Sequence, residues 1–403
     1  MGANFNLKTL TVAIAAFSVA SAASAAGLDR SGQDITAFLQ DGVYAEAVYT
    51  YLDADVSGYD NAYVGADKNA YQQGKKIGDI AESYDFFRYG VKADINDTFS
   101  VGILYDEPFG AAADYSGDNN FVNEAGEGTN VEVRTENLTA IIGAKLGENK
   151  NFQVYAGPAA QRVQADVKLR GDAYQSANGY TTHISAGQDY GWLAGVSYSK
   201  PEIALQAALT YRSEIEHELP IFETFSGVLN NTSTIDITTP KSVNFDFQTG
   251  INPTMLATAK VRWVPWSDFE IVPPLYNQAS KRDPANGTDG LSLVSYDKDQ
   301  WLVELGLAKR LTPALAVTGN IGWDSGAGNP VTSLGPIEGY YSAGLGAKYN
   351  LTENWAISAG GKYLWFGDAK GQIPNKFAVS NFEDNDGFAL GVKLSYQAKQ
   401  NFN

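Results

Sequence analysis

From residue 43 to the C-terminus the chain is written largely in alternation. Over 338–350, Tyr341, Ala343, Leu345, Ala347 and Tyr349 fall on one face, and Ser342, Gly344, Gly346 and Lys348 on the other. A period of two is the mark of a strand. Trp301, Val303, Leu305 and Leu307 repeat the pattern, as do Leu205, Ala207, Leu209 and Tyr211, and Phe388, Leu390, Val392, Leu394 and Tyr396. Fourteen such segments are predicted, near 43–55, 84–96, 99–109, 131–146, 151–169, 184–199, 202–218, 233–250, 254–269, 296–311, 314–325, 338–350, 354–367 and 385–398. Only 31–40 has a hint of helical spacing.

The connections alternate in length. Six are short turns: Asn96-Asp97-Thr98, Gly147 to Lys150, Lys200-Pro201, Asn252-Pro253, Thr312-Pro313 and Leu351 to Asn354. Seven are long and polar, near 56–83, 110–130, 170–183, 219–232, 270–295, 326–337 and 368–384. That places both termini on the short-turn side of an even number of strands, the layout of an outer-membrane barrel. One strand face is apolar; the other is small, Gly-rich and occasionally charged. In a barrel, lipid takes the first and the lumen the second. Tyr211, Trp263, Trp266, Trp301, Trp323, Tyr340, Tyr341, Trp355, Trp365 and Tyr396 stand near strand ends and are expected in the interfacial girdles. A soluble sandwich or propeller would not impose the short–long alternation.

Composition narrows the picture further. The 403 residues hold no cysteine, which excludes disulfides, thiolate metal sites and a cysteine nucleophile. A net charge of −17 argues against a nucleic-acid partner. Lys8, an apolar run from Leu10 to Ala20 and the small-residue sequence Ala23-Ser24-Ala25 read as a secretory signal over 1–25. The expected organisation is therefore a signal at 1–25, a short plug-like segment at 26–42 and a 14-stranded barrel over 43–403.

With those features in hand, the chain resembles the FadL family of outer-membrane transporters. The resemblance rests on Ala26-Gly27 with Ser31-Gly32, on the run Leu209 to Leu219 containing Tyr211-Arg212-Ser213 and His217, and on Thr238 to Val243. Val261 to Phe269 and the hairpin Tyr340 to Phe366 complete it. The resemblance implies passive uptake of a hydrophobic small molecule, such as a long-chain fatty acid or an aromatic hydrocarbon, without cofactor or metal. It further implies release sideways through a kinked third strand. The family's longer N-terminal hatch and its Asn-Pro-Ala motif are absent here. Ile35, Phe38 and Leu39 are the apolar residues with which the shorter segment would plug the lumen.

Three groups of working residues stand out. Pro108, Phe109 and Gly110 interrupt the third strand, since proline cannot donate to a ladder and glycine weakens it. They read equally as the family's lateral opening or as an ordinary strand end. The loop containing Ile221, Phe222, Phe225, Val228 and Leu229 is unusually apolar for a surface loop and is a candidate landing site for cargo. Arg88, Lys145, Arg212, Lys260, Arg262 and Lys348 fall on inward positions. One of them can take a carboxylate head; most are expected to brace the lumen as ion pairs.

His183 and His217 are the only histidines, and neither has metal spacing or a G-x-S-x-G partner, so catalysis is not expected. The remaining partners are outer-membrane lipid and lipopolysaccharide, and the barrel is expected to be monomeric. The rival reading is a general or weakly selective water-filled porin. A third is a structural or adhesive barrel acting through its acidic loops.

Overall fold

The computed structural model describes residues 27–62 and 71–400. The expected signal at 1–25 lies outside them. Fourteen strands close into an antiparallel barrel. They are β1 (Val43–Asp55), β2 (Tyr84–Asp94), β3 (Phe99–Asp106 continued by Gly110–Asp114), β4 (Asn130–Leu146), β5 (Phe152–Lys168), β6 (Tyr180–Lys200) and β7 (Leu205–Arg212 continued by Ile215–Phe225). There follow β8 (Leu229–Thr239 continued by Ser242–Asn252), β9 (Met255–Val264), β10 (Gln300–Arg310), β11 (Leu315–Asp324), β12 (Tyr340–Asn350), β13 (Trp355–Phe366) and β14 (Asp386–Ala398). Each strand pairs with its sequence neighbours, and β1 closes the circle on β14 from Val43↔Ala398 to Asp55↔Asp386. Closure leaves no free edge, the condition for crossing lipid with strands.

Three differences from the sequence reading have physical causes. Residues 219–232 are not a loop. Ile215–Phe225 and Leu229–Thr239 pair as a tall hairpin turning at Ser226 and Gly227. Its apolar residues alternate because one side faces the interior. Residues 31–40 form successive turns, not a helix. Trp266 and Tyr340 point inward and are buried, so they do not belong to the aromatic girdle, whereas Trp301, Trp323, Tyr341, Trp355 and Trp365 are exposed on the outer face.

The wall reverses its polarity with height. In the half nearer the short turns the outer face carries Val91, Ile103, Ile142, Val196, Leu305, Leu345, Leu390 and Val392, and the inner face Glu46, Lys92, Asp94, Lys260, Glu304, Lys362 and Lys393. Farther up, β4 to β8 continue beyond the apolar band. There Arg134, Glu136, Arg162, Asp166, Glu216, Glu218 and Asp236 point outward, while Val131, Val133, Val163, Ile184, Leu219, Ile221, Ile235 and Ile237 point inward. The lower half answers to lipid outside and a polar lumen; the upper half answers to water outside and a packed interior.

That upper interior is filled by the long connections. Trp266, Phe269, Tyr276, Tyr296, Ile373 and Phe382 pack into one apolar cluster with the inward strand residues. Burial pushes the hydroxyls of Tyr174, Tyr276 and Tyr296 well up, as expected where water is scarce. A small sheet of Gly58–Asn61, Gln73–Ile77, Val331–Thr332, Ala369–Gln372 and Ala378–Phe382 joins the same packed interior through Ile77, Val331, Ala369, Val379 and Phe382.

Glu223 ties the hairpin to this core. Fully buried, it accepts the backbone N–H groups of Leu275 (2.9 Å) and Tyr276 (3.0 Å) in the short helix Pro274–Ser280, and the Tyr180 hydroxyl at 2.9 Å. Glu223→Ala is expected to free the helix. The check is limited proteolysis on intact cells, which should cut 270–295 several-fold faster in the variant.

Candidate functional site

Residues 27–42 enter the lumen and are bound to the wall on several sides. Ile35, Phe38 and Leu39 are buried against Tyr44, Leu104, Ile141, Tyr155, Leu193 and Ala208. The Phe38 ring lies 5.6 Å from that of Tyr155, and a Cβ at Gly102 or Gly143 would strike it. The polar anchors, which apolar patterning could not reveal, are more numerous. Arg262 donates through Nε and Nη2 to both carboxylate oxygens of Asp29, at 2.9 and 2.8 Å. Its Nη1 reaches Gln33 Oε1 and Asn244 Oδ1, and both members of the ion pair are fully buried. Asn244 also holds the Gly32 carbonyl (2.8 Å), Ser242 holds Gln33 (2.7 Å), Ser31 donates to Asp106 (2.6 Å) and Arg88 meets Asp34 (3.2 Å). The signal for these contacts was four charged residues, Asp29, Arg30, Asp34 and Asp41, in so short a segment.

Pro108, Phe109 and Gly110 lie where β3 breaks. Asp106 pairs with Asn137 and Gly110 with Arg134, so four steps on β3 face three on β4. One residue is in excess, a bulge that turns the strand inward. The Thr135 hydroxyl donates to the Phe109 carbonyl and accepts its N–H. On the other side the β2–β3 ladder stops at Tyr89↔Tyr105. Residues 84–88 of β2 have no partner on β3, and contact resumes only at Ala81↔Ala113. Glu107 covers part of this gap by accepting the Phe87 N–H.

From inside, the plug completes the interrupted strand. Asp29 pairs with Phe109, the Arg30 N–H donates to Pro108 (2.8 Å) and the Gly110 N–H to Leu28 (2.7 Å). The Arg30 guanidinium sits 3.9 Å above the Tyr84 ring and fills the space where Gly110 has no side chain. Outside, Tyr49, Phe87, Tyr89 and Tyr105 form a chain of ring contacts 5.1 to 6.0 Å apart on the lipid face beside the gap.

Most inward cations are paired. Arg88 bridges Asp34 and Glu46, Lys145 lies between Asp94 and Asp41, Lys260 faces Asp246 at 3.8 Å, and Arg262 holds Asp29. Arg212 is different. It is buried, and among the described residues it makes no hydrogen bond and no ion pair within 4 Å. It lines two adjoining small cavities, each of about 10 Å³ and walled by polar as well as apolar side chains, Gln33, Asn137, Gln161 and Thr239 in the first and Asp34, Glu46 and Arg88 in the second. The first also touches Phe109, Ala159, Leu193 and Ile215; the second reaches Leu104, Asp106 and Tyr105 at the foot of the β2–β3 gap. Lys348 also lacks a hydrogen bond or ion pair among the described residues but lines neither cavity.

The apolar residues of the tall hairpin separate. Ile221 is buried in the upper core, and Phe225 packs on Tyr180 at 5.0 Å. Phe222, Val228 and Leu229 are exposed at and near the tip, away from both cavities. His183 pairs with Asp166 on the outer surface, His217 is buried, and no metal-ligating cluster exists among the described residues.

A closed barrel of fourteen antiparallel strands with an apolar outer band and an N-terminal segment packed inside it is the architecture of an outer-membrane barrel. The family model for outer membrane protein transport proteins (OMPP1/FadL/TodX) matches residues 16–401, and the chain belongs to that family. These proteins carry hydrophobic compounds across the outer membrane. Solved structures agree in fold. A Pseudomonas aeruginosa FadL homologue superposes with a TM-score of 0.69 at 15% identity, covering 93% of this chain and 96% of that one. The toluene transporter TodX of P. putida gives 0.60 at 13%, covering 91% and 92%. The toluene transporter TbuX of Ralstonia pickettii gives 0.56 at 12%, covering 98% and 99%. A sequence comparison with curated proteins finds no match.

Proposed function

We propose that this protein takes up a hydrophobic molecule bearing a carboxylate, such as a long-chain fatty acid, and releases it sideways between β2 and β3. The observation that carries the reading is Arg212: a buried guanidinium without an ion-pair partner among the described residues, lining a small cavity of mixed polar and apolar walls that reaches Phe109 of the bulged strand. A buried charge is costly unless met, and a carboxylate is the group that meets a guanidinium best. The solved neighbours named as toluene transporters supply the competing cargo, a neutral aromatic hydrocarbon. An open porin is disfavoured by the plug and its buried anchors.

On this reading the signal is cleaved and the protein works as a monomer among outer-membrane lipid and lipopolysaccharide. Phe222, Val228 and Leu229 are where cargo first lands. The bulge supplies the test. Deleting Pro108 removes the one excess residue and lets β3 pair straight with β4, so residues 84–88 of β2 regain a neighbour. Uptake of radiolabelled oleate into a transport-deficient strain is expected to fall at least tenfold, with heat-modifiable migration showing an intact barrel. Unchanged uptake by a well-inserted deletion variant would remove lateral release from the proposal.

A further inference from the structure

A second interruption lies on another side of the wall, between β6 and β7. The ladder runs from Lys200↔Leu205 to Leu193↔Arg212 and resumes from Ile184↔Ile221 to Tyr180↔Phe225. Between these, residues 185–192 and 213–220 form no ladder pairs. Both strands slip by one residue. Inward positions pass from Arg212 to Ile215 on β7 and from Ile184 to Gly187 on β6.

Above Trp192 and Ser213, side-chain contacts close the stretch. Ile215 leans into the space of Gly191, where a Cβ would lie 2.6 Å from it, and Leu219 into that of Gly187, at 2.4 Å. Asp189 meets the ring of His217 at 3.3 Å. At the lower end Trp192 and Ser213 exchange two hydrogen bonds, of 2.9 and 3.0 Å.

The height of the stretch is set by chemistry. Unpaired backbone cannot face hydrocarbon, where each lone group costs several kcal/mol. The outward residues here are Gln188, Tyr190, Glu214, Glu216 and Glu218, and the Trp192–Tyr211 ring pair marks the lower boundary. The stretch therefore faces the headgroup layer. Behind it lies the first of the small cavities, whose lining runs from Trp192 and Ser213 to Arg212 and Phe109. The upper interior is filled by the long connections packed against the inward strand residues.

We propose that this unpaired stretch is a lateral inlet. Through it the tail of a single-chain amphiphile lying in the outer leaflet threads past Ile215 and Leu219, and its head follows to Arg212. The inference rests on the transport reading but adds an entrance distinct from the β2–β3 gap.

In the slipped register Tyr190 faces Glu216, and both are exposed. The native chain has no cysteine, so Tyr190→Cys with Glu216→Cys gives a single lockable pair. Oxidation is expected to cut radiolabelled oleate uptake at least fivefold and reduction to restore it, while each single variant transports normally. A locked barrel that transports like wild type would overturn the inlet; a wild type that takes up no oleate would instead count against the transport reading. A second measurement does not depend on transport. A C16 carboxylate with a terminal diazirine, placed in the outer leaflet and photolysed, is expected to label Ile215 and Leu219 in the reduced pair and not in the oxidised one. Labelling confined to outward Tyr190 and Trp192 would overturn the inlet whatever the uptake.

Discussion

Arg262→Ala is expected to turn a closed barrel into a conducting one. Arg262 and Asp29 form a bidentate pair with no exposure to solvent, and the same guanidinium collects Gln33 and Asn244. Removing one member of a buried pair leaves the other charge stranded, at a cost of about 3–5 kcal/mol. The plug is short, and 28–30 also pair with the bulged strand, so that cost falls on the segment best able to leave. Once it leaves, Asp29 regains water and the inner face of the lower half is opened. Single-channel recording should show long conducting bursts in the variant and near silence in wild type, with small sugars entering cells in parallel. Asp29→Asn combined with Arg262→Met removes both charges, strands neither, and should conduct far less than Arg262→Ala alone. If the double variant conducted as freely as the single one, the attraction of the pair itself, and not the stranded charge, would decide whether the plug stays; if neither variant conducted, the plug would be held by its apolar residues, Ile35, Phe38 and Leu39.

The two halves of this site were unequally legible in the sequence. Strand number, closure and the direction of each lumen charge follow from a period of two, which survives wherever one face meets lipid. The tall hairpin was misread because above the membrane the alternation inverts: Ile221, Ile235 and Ile237 face in, and Glu216, Glu218 and Asp236 face out. An apolar run there signals a core, not a surface patch. The break at Pro108 was visible, since proline and glycine carry their own geometry. Its complement was not. That Asp29 and Arg30 would complete the strand from within depends on contacts some 80 residues apart along the chain, beyond any local pattern. The β6–β7 interruption was hidden for the opposite reason: each strand keeps alternating on either side of its bulge, the ladder register is the same above and below, and only inward positions three apart, 212 and 215 on β7 and 184 and 187 on β6, expose it.

Arg212→Met is expected to decide the cargo. The substitution keeps length and apolar contact but removes the one buried guanidinium that has no protein partner in the cavity. A hydrogen bond from a charged group is worth about 1.5–3 kcal/mol. If that group receives a carboxylate, the half-saturating oleate concentration should rise roughly tenfold to a hundredfold. The maximal rate should change little, because chain passage through the β2–β3 gap does not involve this side chain. Uptake of a neutral aromatic such as toluene should stay the same or improve, since a desolvated charge has been taken from the space it passes. Arg212→Lys separates charge from shape: a lysine keeps the positive charge but loses the planar fork that grips both carboxylate oxygens, so oleate affinity should fall between the other two. The reverse pattern, with toluene uptake lost and oleate uptake absent throughout, would assign the cavity to hydrocarbons and leave Arg212 a lumen charge held by Asp106 and Asp246 at longer range.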